Sequence, residues 1–163
     1  MKIIIIIVSF IFISCNKENS DRIVLTSGLS MNPDEPRFGI EIKKDTLYYC
    51  EETAGSSTKY NYYKSKIDPI VFLNLRKEIK NEFKVILVNK SIVDATQFQL
   101  YTSFDEKIEQ ENFYFTFLNE KQKKLINGIL KLKDNKLEKI KYHNFPSELL
   151  TEKLPQPPNP KNE

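Results

Sequence analysis

The sequence predicts an α+β domain in which an antiparallel sheet of about six strands carries two packed helices. Several short segments alternate apolar with polar residues and are separated by turn-forming residues, as half-buried strands are. Two longer segments repeat apolar residues at helical spacing, and each follows an Asp or Asn that can cap a helix. Because the strands come in runs joined by short turns, an antiparallel sheet is favoured over a doubly wound one.

Three strands are predicted before the first helix. Residues 38–42 alternate between apolar and other residues, residues 43–45 form a tight turn, and residues 46–51 return as the second arm of a hairpin. Residues 59–67 form a third strand that is rich in Tyr. These lengths and turn signals are typical of an antiparallel meander.

Both helices are predicted from the residues at which they begin. Asp68 can accept a hydrogen bond from the first free amides, and Pro69 is tolerated at the first helical position. Apolar residues follow at helical spacing, at Phe72, Leu75, Ile79 and Phe83. Asn119 begins the second helix, with Gln122 three residues on, as in a capping box. Its predicted buried face consists of Leu125, Ile126, Ile129, Leu130 and Leu132.

Shorter patterns predict the other elements. Residues 97–102 alternate as a strand, residues 113–118 form its partner or the next strand, and residues 137–142 form a short final element. Residues 85–88 are apolar and form either a strand or a buried connection. Asp94 precedes a strand, where an Asp side chain often fixes a turn by bonding the backbone.

The N-terminus has the pattern of a secretory signal. Lys2 is followed by residues 3–13, in which Ser9 is the only polar residue. This run is shorter than the roughly 20 apolar residues that a transmembrane helix needs, but it fits the apolar region of a signal peptide. We therefore exclude it from the predicted fold.

The end of this run identifies the type of signal. Residues 12–15, Phe-Ile-Ser-Cys, resemble the lipobox of bacterial lipoproteins, with a small residue before an invariant Cys; Phe12 replaces the usual Leu. The resemblance implies cleavage before Cys15 and lipid on its thiol, which anchors the chain to a membrane. Together with the residue patterns described above, it divides the chain into a signal peptide (1–14), a lipidated Cys and flexible tether (15–36), one domain (37–146) and a Pro-rich tail (147–163).

Composition indicates where such a chain resides. It is rich in Lys, Ile and Asn and has three Arg, and with the lipobox this resembles small lipoproteins of the Bacteroidota. The resemblance implies a location in the cell envelope, at the outer membrane on its periplasmic or surface side. It implies no particular activity.

Charge excludes one class of partner and suggests another. Without Lys2, 24 of the 25 basic residues remain against 22 acidic ones, which is not the balance of a nucleic-acid-binding protein. Residues 121–141 hold eight Lys against two acids, and residues 94–120 hold six acids against one Lys. The basic segment, with Lys123, Lys124 and Lys131, is a candidate surface for anionic lipid or an acidic partner. The alternative is that the two segments neutralise each other in the fold.

Tyrosines form a second candidate surface. Five of the eight lie on two neighbouring predicted strands, at Tyr48, Tyr49, Tyr60, Tyr62 and Tyr63. Alternation places Tyr60 and Tyr62 on one face of the sheet and Tyr63 on the other. We expect Tyr48, Tyr60, Tyr62 and Tyr63 to contribute to binding, because Tyr offers a large rigid ring with a polar tip. Cross-strand packing is the alternative.

The residues for enzymatic chemistry are few. Four scattered Gly exclude a phosphate-binding loop, and one His with one unmodified Cys excludes an ordinary zinc site, so no cofactor or metal is expected. Cys50 is predicted to be a buried small hydrophobe; a reactive thiol, paired with His143, is the alternative. A glycosidase would need two facing acids, for which the candidates are Glu41, Glu51, Asp94 and Glu111.

These observations favour a membrane-anchored envelope lipoprotein that acts as a non-enzymatic binding or accessory module, such as an adaptor or an immunity-type protein. The expected partners are the membrane, through lipid on Cys15, and a protein of the envelope. Two alternatives stay open at this point: a small hydrolase of the cell envelope, and a structural lipoprotein without a specific ligand.

Overall fold

A computed structural model of the chain describes residues 21–30, 35–54, 56, 59–83 and 95–151. Cys15, Asp94, residues 85–88 and the prolines after residue 154 lie outside these ranges. The strands are β1 (Arg22–Ser27), β2 (Phe38–Ile42), β3 (Thr46–Glu52), β4 (Tyr60–Lys66), β5 (Gln97–Phe104), β6 (Lys107–Tyr114) and β7 (Glu138–Ile140). The α-helices are α1 (Pro69–Glu82) and α2 (Glu120–Lys131).

The strands form one antiparallel sheet in the order β6-β5-β1-β2-β3-β4-β7. The predicted α+β class is therefore confirmed, with seven strands among the described residues rather than about six. Two predicted boundaries differ. The strand expected at residues 113–118 is β6, which ends at Tyr114 and is followed by a 3₁₀ turn at Phe115–Phe117, and the element expected at 137–142 is the three-residue β7.

β1 corrects the expectation of a tether through residue 36. Residues 22–27 form a central strand that pairs with β2 on one side and β5 on the other. Ile23 and Leu25 pack beneath the helices, whereas Val24 belongs to a smaller cluster on the opposite face. A strand covered on both faces has a continuous apolar run in place of alternation, so the short run at residues 23–25 has no strand period that would indicate it.

Both helices cover one face of the sheet, which we call the helical face. Phe72, Leu75 and Ile79 of α1 and Leu125, Ile126 and Ile129 of α2 pack on a core that includes Ile23, Ile40, Leu47 and Leu100. The predicted caps are present. Asp68 accepts a hydrogen bond from the Ile70 amide at 2.9 Å, and Asn119 and Gln122 make both bonds of a capping box. Local capping thus sets where each helix begins.

The opposite face, which we call the tyrosine face, is covered by the C-terminal segment, residues 141–151. Phe145 and Leu150 pack there against Val24, Cys50 and Tyr101, with three tyrosines at the margin. The expected tail from residue 147 is therefore wrong for its first residues, since Leu149 and Leu150 are buried. A sheet face without helices still has apolar side chains to shield from water, and this segment shields them.

Close packing of this segment depends on Gly39 in β2. A Cβ at Gly39 would lie 2.9 Å from Phe145 Cδ1 and 3.1 Å from Cys50 Sγ, closer than a methyl group tolerates. The segment is also held by hydrogen bonds. Tyr60 Oη donates to the Leu150 carbonyl at 2.8 Å, and the hydroxyls of Ser147 and Thr26 lie 2.7 Å apart.

Candidate functional site

The predicted binding tyrosines divide between the two faces of the sheet. Tyr60 and Tyr62 lie on the tyrosine face with Tyr48, as their alternation in β4 predicts. Tyr63 points to the helical face, where its ring stacks on Tyr49 with centroids 5.9 Å apart. Three of the four candidate tyrosines are thus brought together, and Tyr63 serves the packing of the core.

Between the tyrosine face and the C-terminal segment is a cavity of about 240 Å³, which we call the tyrosine cavity. Its described lining consists of Cys50, Tyr60, Tyr62, Tyr142, His143, Asn144, Phe145, Ser147, Leu150 and Thr151. The Tyr62 ring meets Tyr142 edge-on, with centroids 5.1 Å apart, and lies 6.4 Å from Tyr60. Burial raises the pKa of both Tyr60 and Tyr62, so their phenols stay protonated and remain hydrogen-bond donors.

Tyr142 is the exposed member of this set. The residue is 63% exposed, whereas Tyr60 and Tyr62 are half-buried. It follows β7, so the sequence offered no strand alternation that would have placed it beside Tyr62. The pairing β4–β7, with Tyr62 opposite Ile140, brings it there.

His143 is fixed by three contacts. Its ring stacks on Tyr48 with centroids 3.7 Å apart and planes 1° from parallel, and it meets Phe145 edge-on at 5.1 Å. Its Nε2 forms a hydrogen bond with Glu41 Oε2, in which the carboxylate is the acceptor. His143 is thus packed against two aromatic rings and bonded to a carboxylate, a position that no local sequence pattern indicates.

Glu41 is a buried carboxylate at the centre of a polar cluster. Its side chain is 1% exposed, with Arg22 Nη1 at 3.6 Å and Lys43 Nζ at 4.0 Å from its Oε1. Arg22 also donates to Tyr101 Oη at 3.2 Å. A buried carboxylate needs such partners, because an unpaired charge is costly away from water. Between Ile40 and Ile42, Glu41 resembles a solvent-facing strand residue, so its burial was not predicted.

Cys50 is buried, as predicted, and is the single free thiol among the described residues. Burial raises its pKa to about 12, a shift only partly opposed by a hydrogen bond from the Gly39 backbone. The thiolate is the nucleophilic form of cysteine, and at neutral pH this thiol stays protonated. Cys50 and His143 both line the tyrosine cavity, but the raised pKa argues against a thiol–imidazole catalytic pair.

We expect Cys50 to resist alkylation in the folded protein. At pH 8 a pKa of about 12 lowers the thiolate fraction more than roughly a thousandfold relative to an ordinary cysteine with a pKa of about 8.5. Intact mass after treatment with iodoacetamide should show no addition at Cys50 in buffer and one addition in denaturant. The Cys15→Ala variant is the material of choice, because it leaves Cys50 as its only thiol. Rapid labelling of the folded protein would contradict the buried position.

The candidate acids do not form a hydrolytic pair in the described residues. Glu41 lies on the tyrosine face. Glu111 lies on the helical face, because it is paired with Leu100. Glu51 also lies on the helical face, because it alternates in β3 with Leu47 and Tyr49. Glu51 in β3 and Glu111 in β6 are four strand spacings apart, about 19 Å. Glycosidase acids lie about 5–10 Å apart. Asp94 lies outside the described residues.

The candidate lysines lie on the other side of the sheet from the tyrosine cavity. Lys123, Lys124 and Lys131 belong to α2, which packs on the helical face. Lys123 pairs with Glu120 at 3.0 Å, the one ion pair of the described residues that joins the basic and acidic segments. The basic and acidic segments therefore hardly neutralise each other through direct ion pairs. The candidate lysine surface and the candidate tyrosine surface lie on opposite sides of the sheet.

Comparison with known proteins leaves this site without a counterpart. No protein-family model, no curated protein and no solved structure matches the chain. Within the part of the chain that the structure describes, no three His, Cys, Asp or Glu side chains come together as a metal site. The helices described there are too short or too polar to cross a membrane.

Proposed function

We propose that the protein is an envelope lipoprotein, anchored by lipid on Cys15, whose domain is a non-enzymatic binding module of the adaptor or immunity type. In this proposal the tyrosine cavity receives a side chain of a protein partner. The observation that carries the proposal is Tyr142, a residue that is 63% exposed and lines a cavity together with Tyr60 and Tyr62. The proposed anchor rests on the lipobox resemblance of residues 12–15.

The chemistry of the cavity suits a protein side chain. Tyrosine is enriched at the centres of protein interfaces because its ring offers apolar area and its hydroxyl offers a hydrogen bond. Asn144, Ser147 and Thr151 add polar groups around the rings. The volume of about 240 Å³ lies below the roughly 300–1,000 Å³ of most small-molecule sites. It fits one inserted side chain better than a whole substrate.

The alternatives have less support. A cysteine hydrolase would need a reactive thiol and a glycosidase would need paired acids, whereas burial raises the pKa of the Cys50 thiol and the described candidate acids lie on different faces or far apart. A structural lipoprotein without a ligand is expected to have a featureless surface. The described surface instead has a cavity lined by several aromatic rings, and aromatic residues are enriched at the cores of protein interfaces.

Site-specific photocrosslinking tests the proposal in intact cells. We expect p-benzoylphenylalanine in place of Tyr142 to yield one discrete adduct with an envelope protein. The reason is that position 142 lines the cavity that the partner's side chain is proposed to enter. The matched control carries the same group in place of Lys77, which is exposed on α1 on the far side of the sheet. Adding Tyr62→Ala should abolish the adduct at position 142. No adduct, or equal adducts at positions 142 and 77, would refute the proposed site.

A further inference from the structure

A second, larger cavity lies on the helical face of the sheet, at the end marked by Ser27 of β1. Its volume is about 450 Å³, within the roughly 300–1,000 Å³ range of small-molecule sites. Three phenylalanines provide its apolar wall. Phe98 lies 6.2 Å from Phe38 and 6.4 Å from Phe115, measured between ring centroids. We call it the Phe38 cavity.

Charged groups of both signs border this wall. Glu35, Glu51 and Lys133 belong to the lining, and Lys133 Nζ lies over the Phe38 ring, 5.9 Å from its centroid. Glu35 is held in place by two hydroxyls, since Ser30 Oγ and Thr96 Oγ1 donate to its Oε2 at 2.9 and 3.1 Å. The cavity therefore offers an apolar wall, acceptors for a cation and a donor for an anion.

An uncharged ligand, a cation or an anion would each match only part of this lining. An uncharged apolar ligand would remove water from Glu51 and Lys133 without replacing its hydrogen bonds. A plain cation would meet Lys133, and a plain anion would meet the two carboxylates. A zwitterion with an apolar body complements all three features.

We propose that the Phe38 cavity binds a free hydrophobic α-amino acid. Its ammonium would face the carboxylates of Glu35 and Glu51, its carboxylate would face Lys133, and its side chain would lie against the phenylalanines. This site is on the opposite face of the sheet from the tyrosine cavity. The amino-acid-binding proposal is therefore independent of the proposed protein-binding function.

Ligand-observed fluorine NMR with the purified full-length protein tests this. The probe is 4-fluoro-L-phenylalanine, and L-phenylalanine and L-leucine should displace it. Phenethylamine lacks the carboxylate and 3-phenylpropanoate lacks the ammonium, so each should compete about tenfold or more weakly, the loss of one charge-assisted contact. N-acetyl-phenylalanine amide, which represents a residue within a peptide, should not compete. Absence of probe binding, or equal competition by any of these three analogues, would overturn the proposal.

Substitutions locate the binding. Lys133→Met and Glu51→Gln should each weaken probe binding about tenfold. Lys136→Met is the matched control, because Lys136 is exposed near Lys133 but is not among the lining residues of the cavity. It should leave binding unchanged. Unaltered binding in folded Lys133→Met, or equal losses in Lys133→Met and Lys136→Met, would exclude this cavity as the binding site. If a variant does not fold, the competition by the ligand analogues still tests the proposal.

Discussion

Arg37→Ala is expected to lower the free energy of unfolding by about 3 kcal/mol, the low end of the range for breaking a buried ion pair. The Arg37 side chain is 1% exposed and its partner Glu52 is 16% exposed, which is why the low end applies. Arg37 donates to both oxygens of Glu52, at 3.2 and 2.9 Å, and to the Leu149 carbonyl at 3.2 Å. Its loss would remove the contacts that join the residue before β2 to β3 and to the C-terminal segment.

Denaturant unfolding measures this loss, with two comparisons. Arg37→Lys keeps the charge without the two-pronged geometry, so its loss should lie between those of the unmodified protein and Arg37→Ala. Arg76→Ala removes another paired arginine, but its side chain is 25% exposed, so a smaller loss is expected. Equal losses in the free energy of unfolding for Arg37→Ala and Arg76→Ala would show that the burial of the Arg37 ion pair does not increase its contribution to stability.

The loss of stability in Arg37→Ala is expected to depend on pH, because the partner of Arg37 is the carboxylate of Glu52. Burial of Glu52 raises its pKa, but the hydrogen bonds and charge of Arg37 outweigh burial and hold that pKa below its ordinary value of 4.5. A depressed carboxyl pKa stabilises the folded state above the ordinary pKa, and this contribution is lost as the pH falls through the folded-state pKa. The stability difference between the unmodified protein and Arg37→Ala should therefore be largest at neutral pH and narrow below about pH 4.5.

Cys15→Ala is expected to release the protein from the membrane fraction. In the lipoprotein proposal, the lipid on Cys15 is the anchor, and two or more acyl chains bind a bilayer stably whereas the bare domain does not. Membrane fractionation and intact mass are the measurements. The unmodified protein should lack residues 1–14, carry the lipid mass and sediment with membranes. The variant should lack the lipid and either be soluble or retain its signal peptide.

The control for this experiment is Cys50→Ala. Cys50 is buried on the tyrosine face, so its substitution should leave lipid mass and membrane association unchanged. If Cys15→Ala and the unmodified protein fractionate alike, and neither carries lipid, the proposed anchor is wrong. The binding-module proposal would then need a partner outside the membrane.

The elements that the sequence predicted well are those with local signals. Asp68 and Asn119 bond amides two and three residues away, so the beginnings of α1 and α2 are determined by a few neighbouring residues. β2 and β3 alternate and are joined by a short turn. β1 and the C-terminal segment lack such signals, because β1 is covered on both faces and the segment has no regular period.

The candidate site shows the same division. Alternation correctly separated Tyr62 from Tyr63. It could not place His143 against Glu41, since these residues are 102 positions apart and meet only when the C-terminal segment crosses the sheet. The burial of Glu41 follows from that crossing, so a single sequence offers no local pattern for it.

The position of β1 has a consequence for how the protein would stand on a membrane. Six residues separate Cys15 from Arg22, and a chain of that length reaches about 20 Å when fully extended. A lipid on Cys15 would thus hold the Arg22 end of the sheet close to the headgroups, with Lys43 and Lys44 in the turn at that same end. The Phe38 cavity, beside Ser27, would open at the end remote from the bilayer. Ligands would reach it from the aqueous side, whereas the lysine-bearing turn would face anionic lipid.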